Sequence, residues 1–183
     1  VYINRRKYFT SWLVMLISSL MFYGFSLDGQ ISKIEGLFFV AGLLAFITIS
    51  ISSLSKEQSS DDSKTSMHPA MILLFFLLGS SGLYFGSELL IANAVEIAYS
   101  IGVSEFVIGA TVVALGTSLP ELATSLIASI RGQNSISIGN LLGSNVFNIF
   151  AVLGITSLVQ PIPVDIFLLY VDLPVMIGIV IML

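Results

Sequence analysis

One short segment past the middle of the chain gathers oxygen-bearing side chains inside an otherwise apolar stretch. Within residues 109–125 (GATVVALGTSLPELATS), Thr117, Ser118 and Glu121 lie beside Pro120. Proline has no backbone N–H and clashes with the carbonyl four residues earlier, so a helix that reaches Pro120 should break and free carbonyls just ahead of it. Carboxylate, hydroxyl and carbonyl oxygens are the ligands that hard cations such as Ca²⁺ prefer. The segment therefore predicts a cation site in a broken helix.

A second group of polar residues follows in the next apolar stretch. Residues 139–148 (GNLLGSNVFN) contain Ser144 and Asn148, which are four residues apart. Residues at this spacing lie on one face of a helix. Their hydroxyl and amide oxygens would complete a site begun by the first segment. In the alternative interpretation, the asparagines hydrogen-bond between helices and only hold a helix bundle together.

The composition places both groups in a membrane. The 183 residues are 56% hydrophobic and 10% charged, whereas a typical soluble domain is about 25% charged. The chain has one histidine and no cysteine, so it offers neither thiolate nor histidine-rich metal sites, and its seven basic residues are scattered. No nucleophile–base pair is evident. We therefore expect an integral membrane protein that is not an enzyme, uses no organic cofactor and binds no nucleic acid.

About six segments are apolar and long enough to cross a bilayer, for which a helix needs about 20 residues. They cover residues 8–26, 34–52, 69–99, 105–130, 135–159 and 166 to the end. The fold class predicted is an all-α polytopic membrane protein whose fourth span is broken at Pro120. Its expected divisions are two transmembrane helices in 1–52, a polar loop in 53–68 and the remaining helices in 69–183.

Basic residues set the expected orientation, because cytoplasmic loops of membrane proteins are enriched in Lys and Arg. If the N-terminus is cytoplasmic, six of the seven basic residues lie in cytoplasmic segments and only Lys33 lies outside. The polar loop at 53–68 is then also cytoplasmic.

Two acidic residues lie within the predicted spans at depths where a carboxylate is costly. Glu121 lies near the middle of the fourth span, and an acid at that depth is a functional hypothesis by default. Glu88, in the third span, has two open interpretations: a carboxylate that is interfacial, protonated or paired with protein, or one that lies beside an ion path. In the same span, Gly82 and Gly86 form a small-residue pattern that permits close contact with another helix.

Together, residues 116–121 (GTSLPE) and 139–148 resemble the alpha-repeat of the calcium/cation antiporter superfamily, the sodium/calcium exchangers. The surroundings, including residues 86–90 (GSELL), resemble its prokaryotic branch, and the resemblance covers most of the chain. In that family ten helices form two inverted five-helix halves, each with one alpha-repeat. The resemblance implies that residues 105–159 are the second repeat and that the first lies upstream. It agrees with a fragment, since the chain starts without Met and ends inside an apolar run.

The resemblance also implies which atoms hold the ion. The six ligands would be the backbone carbonyl of Ala114 and the side chains of Thr117, Ser118, Glu121, Ser144 and Asn148. Glu121 corresponds to the glutamate that coordinates both Ca²⁺ and Na⁺, and Ser144 corresponds to a serine that ligates Na⁺. Asn148 falls where family members carry either Asp or Asn, and here it adds no charge.

The activity implied is exchange of Ca²⁺ for Na⁺, both as transported ions, across a prokaryotic inner membrane. The partners implied are the lipid bilayer and an N-terminal half that carries the first repeat and its glutamate. Since one carboxylate cannot neutralise Ca²⁺, the chain alone should not transport. Other hypotheses remain: an H⁺/Ca²⁺ or K⁺-dependent exchanger, a cation channel with a carboxylate ring, or a membrane scaffold without transport.

Overall fold

The computed structural model describes residues 5–57 and 68–183, and most of them are helical. The α-helices are α1 (Arg5–Phe25), α2 (Lys33–Glu57), α3 (Pro69–Ser100), α4 (Glu105–Ile108), α5 (Ala114–Ile130), α6 (Asn134–Phe147), α7 (Gly154–Val159) and α8 (Leu173–Met182). Three π-helical segments join some of them: π1 (Gly109–Val113), π2 (Asn148–Leu153) and π3 (Leu168–Asp172). The two short strands are β1 (Gln30–Ile31) and β2 (Ile162–Pro163).

In the described part of the chain, five helical runs are long and apolar enough to cross a membrane. They are Tyr8–Asp28, Lys33–Ser52, Pro69–Ser100, Thr111–Ile130 and Asn134–Val159, and a shorter apolar run covers Leu168–Met182. The predicted all-α polytopic membrane protein is therefore confirmed. One boundary differs, because α2 continues to Glu57, into the segment expected to be a loop. The rest of that predicted loop, from residue 58 to residue 67, lies outside the described residues.

The chain divides into two compact units. The first unit combines Val1–Asp62 with Ile138–Leu183, and the second unit is Ser63–Ser137. The division falls within α6, which begins in the second unit and continues into the first.

The first unit has a buried apolar core at the crossing of its helices. Its buried members are Met15, Ile31, Phe39, Leu142, Val146, Ile149, Phe150 and Val180. Helices α2 and α7 approach closely because each contributes a glycine: a Cβ at Gly36 would lie 2.9 Å from the carbonyl oxygen of Gly154. The antiparallel pair of β1 and β2 links the turn after α1 to the segment after α7.

The second unit is a helical hairpin built from local sequence signals. Helix α3 begins at Pro69, after His68 caps it by accepting a hydrogen bond from the N–H of Ala70 at 3.3 Å; proline is favoured at a first helical position because its missing N–H is not needed there. The helix ends before Gly102, whose φ of +80° is the left-handed conformation typical of a helix stop. The same stop recurs after α5, at Gly132 with a φ of +72°.

Helices α3 and α5 of the second unit pack against each other at Gly116, which is buried and faces the side chain of Ile91. The close contact that Gly82 and Gly86 would permit is not used among the described residues, because no atom beyond their own helix backbone lies within 4 Å of a Cβ built at either residue. Close packing in this unit therefore depends on the glycine of α5 and not on the pair in α3.

Candidate cation site

Four of the predicted ligand residues lie on one face of α5. Ala114, Thr117, Ser118 and Glu121 follow the spacing of three, four and seven residues that brings side chains onto one side of a helix. We call these four residues the α5 stripe. Because α5 is part of a membrane-spanning helical run, the stripe places two hydroxyls, a carboxylate and one backbone carbonyl along a single line within the bilayer.

The backbone around the α5 stripe departs from the prediction in one respect. Pro120 does not break the helix, since it lies inside α5, which continues from Ala114 to Ile130. The irregular backbone lies earlier, in π1, and ends immediately before Ala114. Short π-helical segments inside α-helices occur frequently at functional sites. The predicted irregularity of this span is thus present, but at Gly109–Val113.

The hydroxyl of Thr117 is held by the backbone of its own helix. It donates to the carbonyl oxygen of Val113 at 3.0 Å and to that of Ala114 at 3.1 Å. Threonine hydroxyls in membrane helices often make such bonds for structural reasons alone. The bond also uses the only proton of the hydroxyl, so the lone pairs of its oxygen remain for an acceptor role. These bonds therefore fit both a structural role and the predicted ligand role.

Glu121 is half-buried, and its Oε2 atom is buried from solvent. Helix α5 contains no Lys or Arg that could form an ion pair with this carboxylate within the same helix. A carboxylate within a membrane helix is costly unless it faces protein, water or a cation. On the α5 stripe it is in line with two hydroxyls, and carboxylate and hydroxyl oxygens are the ligands that hard cations prefer.

The other two predicted ligands belong to the first unit. Ser144 lies in α6, is half-buried, and donates its hydroxyl proton to the carbonyl oxygen of Leu141 at 3.2 Å. Asn148 is exposed and begins π2. Their four-residue spacing places them on one side of the helical run, as predicted. The α5 stripe belongs to the second unit, so the meeting of all six ligands at one ion stays a prediction.

Within residues 5–57 and 68–183, no three or more His, Cys, Asp or Glu residues are grouped so that they could hold a metal ion. A cation at the α5 stripe would therefore depend on Glu121 for charge and on neutral oxygens for the rest of its coordination. This donor set fits Ca²⁺ or Na⁺, which take oxygen ligands, better than metals that prefer nitrogen or sulfur.

Two features near these residues were not predicted from the sequence. The first is the π-helical backbone, which ends just before Ala114 and begins again at Asn148. The second is a groove of about 630 Å³ between α3 and α5, lined by Ser80, Tyr84, Ser87 and Glu88 together with Thr117 and Pro120. One sequence signal could have indicated the α3 side of this groove: Tyr84, Ser87 and Glu88 follow Ser80 by four, seven and eight positions, which places them on one side of a helix.

Comparison with known proteins decides the family. The family model described as "Sodium/calcium exchanger protein" matches residues 71–183, which is more than half of the chain. The chain belongs to the sodium/calcium exchanger protein family. This confirms the resemblance inferred from residues 116–121 and 139–148.

Individual exchanger relatives agree with this membership. The sodium/calcium exchanger MaX1 of Methanosarcina acetivorans is 46% identical over 105 residues, which cover 56% of this chain and 30% of MaX1. The inner membrane protein YrbG of Escherichia coli is 31% identical over 162 residues, which cover 83% of this chain and 50% of YrbG. This exchanger-family chain spans about half the length of the curated relatives that it matches most extensively.

A solved structure has the same fold. The structure of the sodium-calcium exchanger NCX_Mj soaked with Na⁺ and Sr²⁺ matches with a TM-score of 0.76 and 26% sequence identity. The match covers 99% of this chain and 57% of the NCX_Mj chain. The exchanger fold therefore extends over nearly all of the present chain and corresponds to a little more than half of that transporter.

Proposed function

We propose that this chain is the second-repeat half of a cation antiporter that exchanges Ca²⁺ for Na⁺. The ion would be bound by the α5 stripe together with Ser144 and Asn148. The observation that carries the proposal is Glu121: a half-buried carboxylate, with one oxygen fully buried, on a membrane helix and in line with two hydroxyls. Family membership and the ions named for the exchanger relatives support the same assignment.

Charge balance assigns the chain a partner. Glu121 supplies one negative charge, Asn148 supplies none, and Ca²⁺ carries two positive charges. A second carboxylate is therefore needed for tight binding within the low dielectric of a membrane. We place it in a complementary N-terminal half, since inverted repeats form their ion site near the bilayer midplane where the two halves meet. The match to about half of each relative supports this division.

Exchange would follow from competition for shared oxygens. Ca²⁺ and several Na⁺ ions cannot occupy the same ligands together, so binding of one favours release of the other. The ion site would then switch its access from one side of the membrane to the other only when an ion is bound. The π1 segment and Pro120, which both lie near the predicted ligands, provide positions where the helix could bend during that step.

The setting proposed is a prokaryotic inner membrane, with the N-terminus of this chain on the cytoplasmic side. The distribution of basic residues supports this orientation, since six of the seven would then be cytoplasmic. The name of the related protein YrbG, an inner membrane protein, supports the location.

The test is Glu121→Gln in the chain co-expressed with a complementary N-terminal half. We expect Na⁺-driven uptake of radioactive calcium into membrane vesicles to fall to background, because the amide keeps the shape of the side chain but not its charge. Glu96→Gln is the matched control, since Glu96 is an exposed carboxylate on α3 outside the stripe, and it should keep full uptake. Normal uptake by Glu121→Gln would refute the proposed ion site.

The same vesicles separate exchange of Na⁺ from the alternatives. Calcium uptake driven by a proton gradient without Na⁺ would indicate an H⁺/Ca²⁺ exchanger, and a requirement for K⁺ together with Na⁺ would indicate a K⁺-dependent exchanger. Calcium current without any counter-ion would indicate a channel. Each of these results would replace the Na⁺/Ca²⁺ assignment. The role of Glu121 would still be decided by calcium uptake in the Glu121→Gln variant.

A further inference from the structure

Phe150 is a buried side chain close to one of the proposed ligands. It lies in π2, which begins at Asn148, and only 4% of its surface is exposed. Asn148 itself is exposed, whereas the next three residues, Ile149, Phe150 and Ala151, are all buried. The hydrogen bonds of a π-helical turn span five residues instead of four, so the turn holds an additional residue. The direction in which Asn148 points therefore depends on how π2 is seated.

The ring of Phe150 is seated on a glycine of α2. A Cβ built at Gly42 would lie 3.0 Å from both Cε1 and Cζ of Phe150 and 3.3 Å from its Cδ1. These distances are shorter than the optimum of about 3.5 to 4.0 Å between carbon atoms. The same ring contacts Phe39 of α2, with ring centroids 6.3 Å apart. The absence of a side chain at Gly42 therefore provides the space that the ring occupies.

This contact is the last in a series along α2. From Gly36 to Gly42, the residues that face the glycines run back along the partner helix from Ser157 to Phe150. The contact at Ser157 lies in α7, beyond π2. Because π2 adds a residue to its turn, contacts beyond it do not fix the rotation of the residues that begin it. Phe150 lies within π2, so its contact can fix that rotation.

We infer that Phe150 is a positioning residue for the ion site: its ring, seated on Gly42, sets the rotation of π2 and thereby the direction of the Asn148 amide. Phe150 is not a ligand and acts through the backbone of π2. The inference rests on the proposed function, in which Asn148 is a ligand. Binding groups must be held within about 0.5 Å of their productive geometry. A shift of π2 by a few tenths of an ångström is therefore enough to weaken ion binding.

The first test exchanges volume between the two residues in the chain co-expressed with its complementary half. Gly42→Ala pushes the ring, and Phe150→Leu leaves space beside Gly42. Each should raise the Na⁺ concentration for half-maximal calcium uptake by about threefold, less than the roughly tenfold expected from loss of a whole ligand. The double variant conserves the total volume, so it should return to within about twofold of the wild type. The kcat at saturating Na⁺ should be retained in all three variants.

Gly36→Ala separates positioning from a general loss of stability. Gly36 lies on the same helix as Gly42, but it faces α7. The variant should lower the unfolding temperature more than Gly42→Ala does, because the atoms nearest to its added methyl include backbone atoms. It should nevertheless leave the half-maximal Na⁺ concentration within about twofold of the wild type. An equal rise in Gly36→Ala, or a double variant no better than the single ones, would overturn the role of Phe150.

The second test needs no transport. The chain has no cysteine, so Asn148→Cys introduces its only thiol, at an exposed position. In the detergent-solubilised chain, the rate of reaction with a methanethiosulfonate reagent reports the surroundings of that thiol. Adding Gly42→Ala should change the rate by about threefold or more, and adding Phe150→Leu as well should restore it.

The labelling rates also separate this inference from the proposed function. A rate that Gly42→Ala leaves unchanged would overturn the positioning role, because the ring would then not be coupled to position 148. If the wild type shows no Na⁺-driven uptake, the proposed function fails. The labelling rates would still decide whether Phe150 and Gly42 control the placement of that position.

Discussion

Each compact unit contains a helix pair that meets through glycine, and the two pairs differ in what the glycine faces. In the first unit, a Cβ at Gly36 would approach the backbone of α7, 2.9 Å from the Gly154 oxygen and 3.2 Å from the Leu158 nitrogen. In the second unit, the three atoms nearest to a Cβ at Gly116 all belong to the side chain of Ile91. A backbone cannot move without shifting a helix, whereas a side chain can change its rotamer. The first contact is therefore more rigid than the second.

Burial differs in the same direction. The buried share of the apolar spans is 22% in Tyr8–Asp28, 11% in Lys33–Ser52 and 39% in Asn134–Val159, which lie wholly or mostly in the first unit. In the second unit it is 0% in Pro69–Ser100 and 11% in Thr111–Ile130. Segments with few buried contacts open most readily. The α5 stripe thus belongs to the unit that is packed less tightly within itself. In the proposed antiporter, the helix that carries the α5 stripe would then change its surroundings more readily than the helices of the first unit.

The largest effect on stability is expected from Gly36→Ala in the first unit. The added methyl would meet backbone atoms of α7 and the side chain of Ser157, so the helices must separate. Overpacking of this kind costs about 1 to 3 kcal/mol, and we expect the upper half of that range. Thermal unfolding of the detergent-solubilised chain measures it. Gly24→Ala is the control, because no atom lies within 4 Å of a Cβ at Gly24, and it should not lower the unfolding temperature.

The structure also shows which features can be read from a membrane-protein sequence. Hydrophobic length predicted the spans, since bilayer thickness sets it. Residue type singled out Thr117, Ser118 and Glu121, whose shared face follows from the continuous helix α5. Gly36 and Gly154 were not singled out, although they make the closest helix crossing in the first unit. Gly82 and Gly86 have the favoured spacing but no close neighbour. Spacing within one helix does not determine which side meets a partner helix.

Backbone irregularity shows a similar limit. Proline predicted a break at Pro120, yet the helix continues and π1 lies before Ala114. A proline removes one backbone N–H donor, so nearby carbonyl oxygens must find other hydrogen-bond donors. Where the backbone adjusts to provide them depends on packing. The sequence therefore predicted which span has an irregular backbone, but not the residues at which the irregularity lies. The groove escaped prediction for the same reason, because it depends on how α3 is rotated against α5.

Thr117→Val in the second unit is expected to have a smaller effect, which is measured as Ca²⁺ affinity. Its comparison with a threonine of the first unit tests whether the two units differ in function. The change keeps the shape of the side chain and removes the hydroxyl of a residue that belongs to both the stripe and the groove. Loss of one ligand should weaken Ca²⁺ binding by about 1 to 2 kcal/mol, or roughly tenfold. The competition of Ca²⁺ with Na⁺ in vesicle uptake measures it.

Thr48→Val is the matched control for this change. Thr48 makes the same kind of bond in the first unit, donating to the carbonyl oxygen of Ala45 at 2.8 Å. If back-bonding alone explained Thr117, the two valine variants would behave alike. Equal Ca²⁺ affinities in both variants would therefore reduce Thr117 to a structural residue.

The smallest effect on stability is expected from Gly116→Ala, the counterpart of Gly36→Ala in the second unit. The added methyl would meet Cγ1 of Ile91, an atom next to the Cβ of a β-branched side chain, so Ile91 must shift close to its own backbone. Because no backbone atom is among the three nearest, we expect a loss of about 1 to 2 kcal/mol, within the range of overpacking costs, measured by the same thermal unfolding. Gly82→Ala, with no neighbour within 4 Å, is the control. If Gly116→Ala instead cost as much as Gly36→Ala, both helix pairs would be equally rigid. The motion proposed for the ion-binding helix would then have to occur elsewhere.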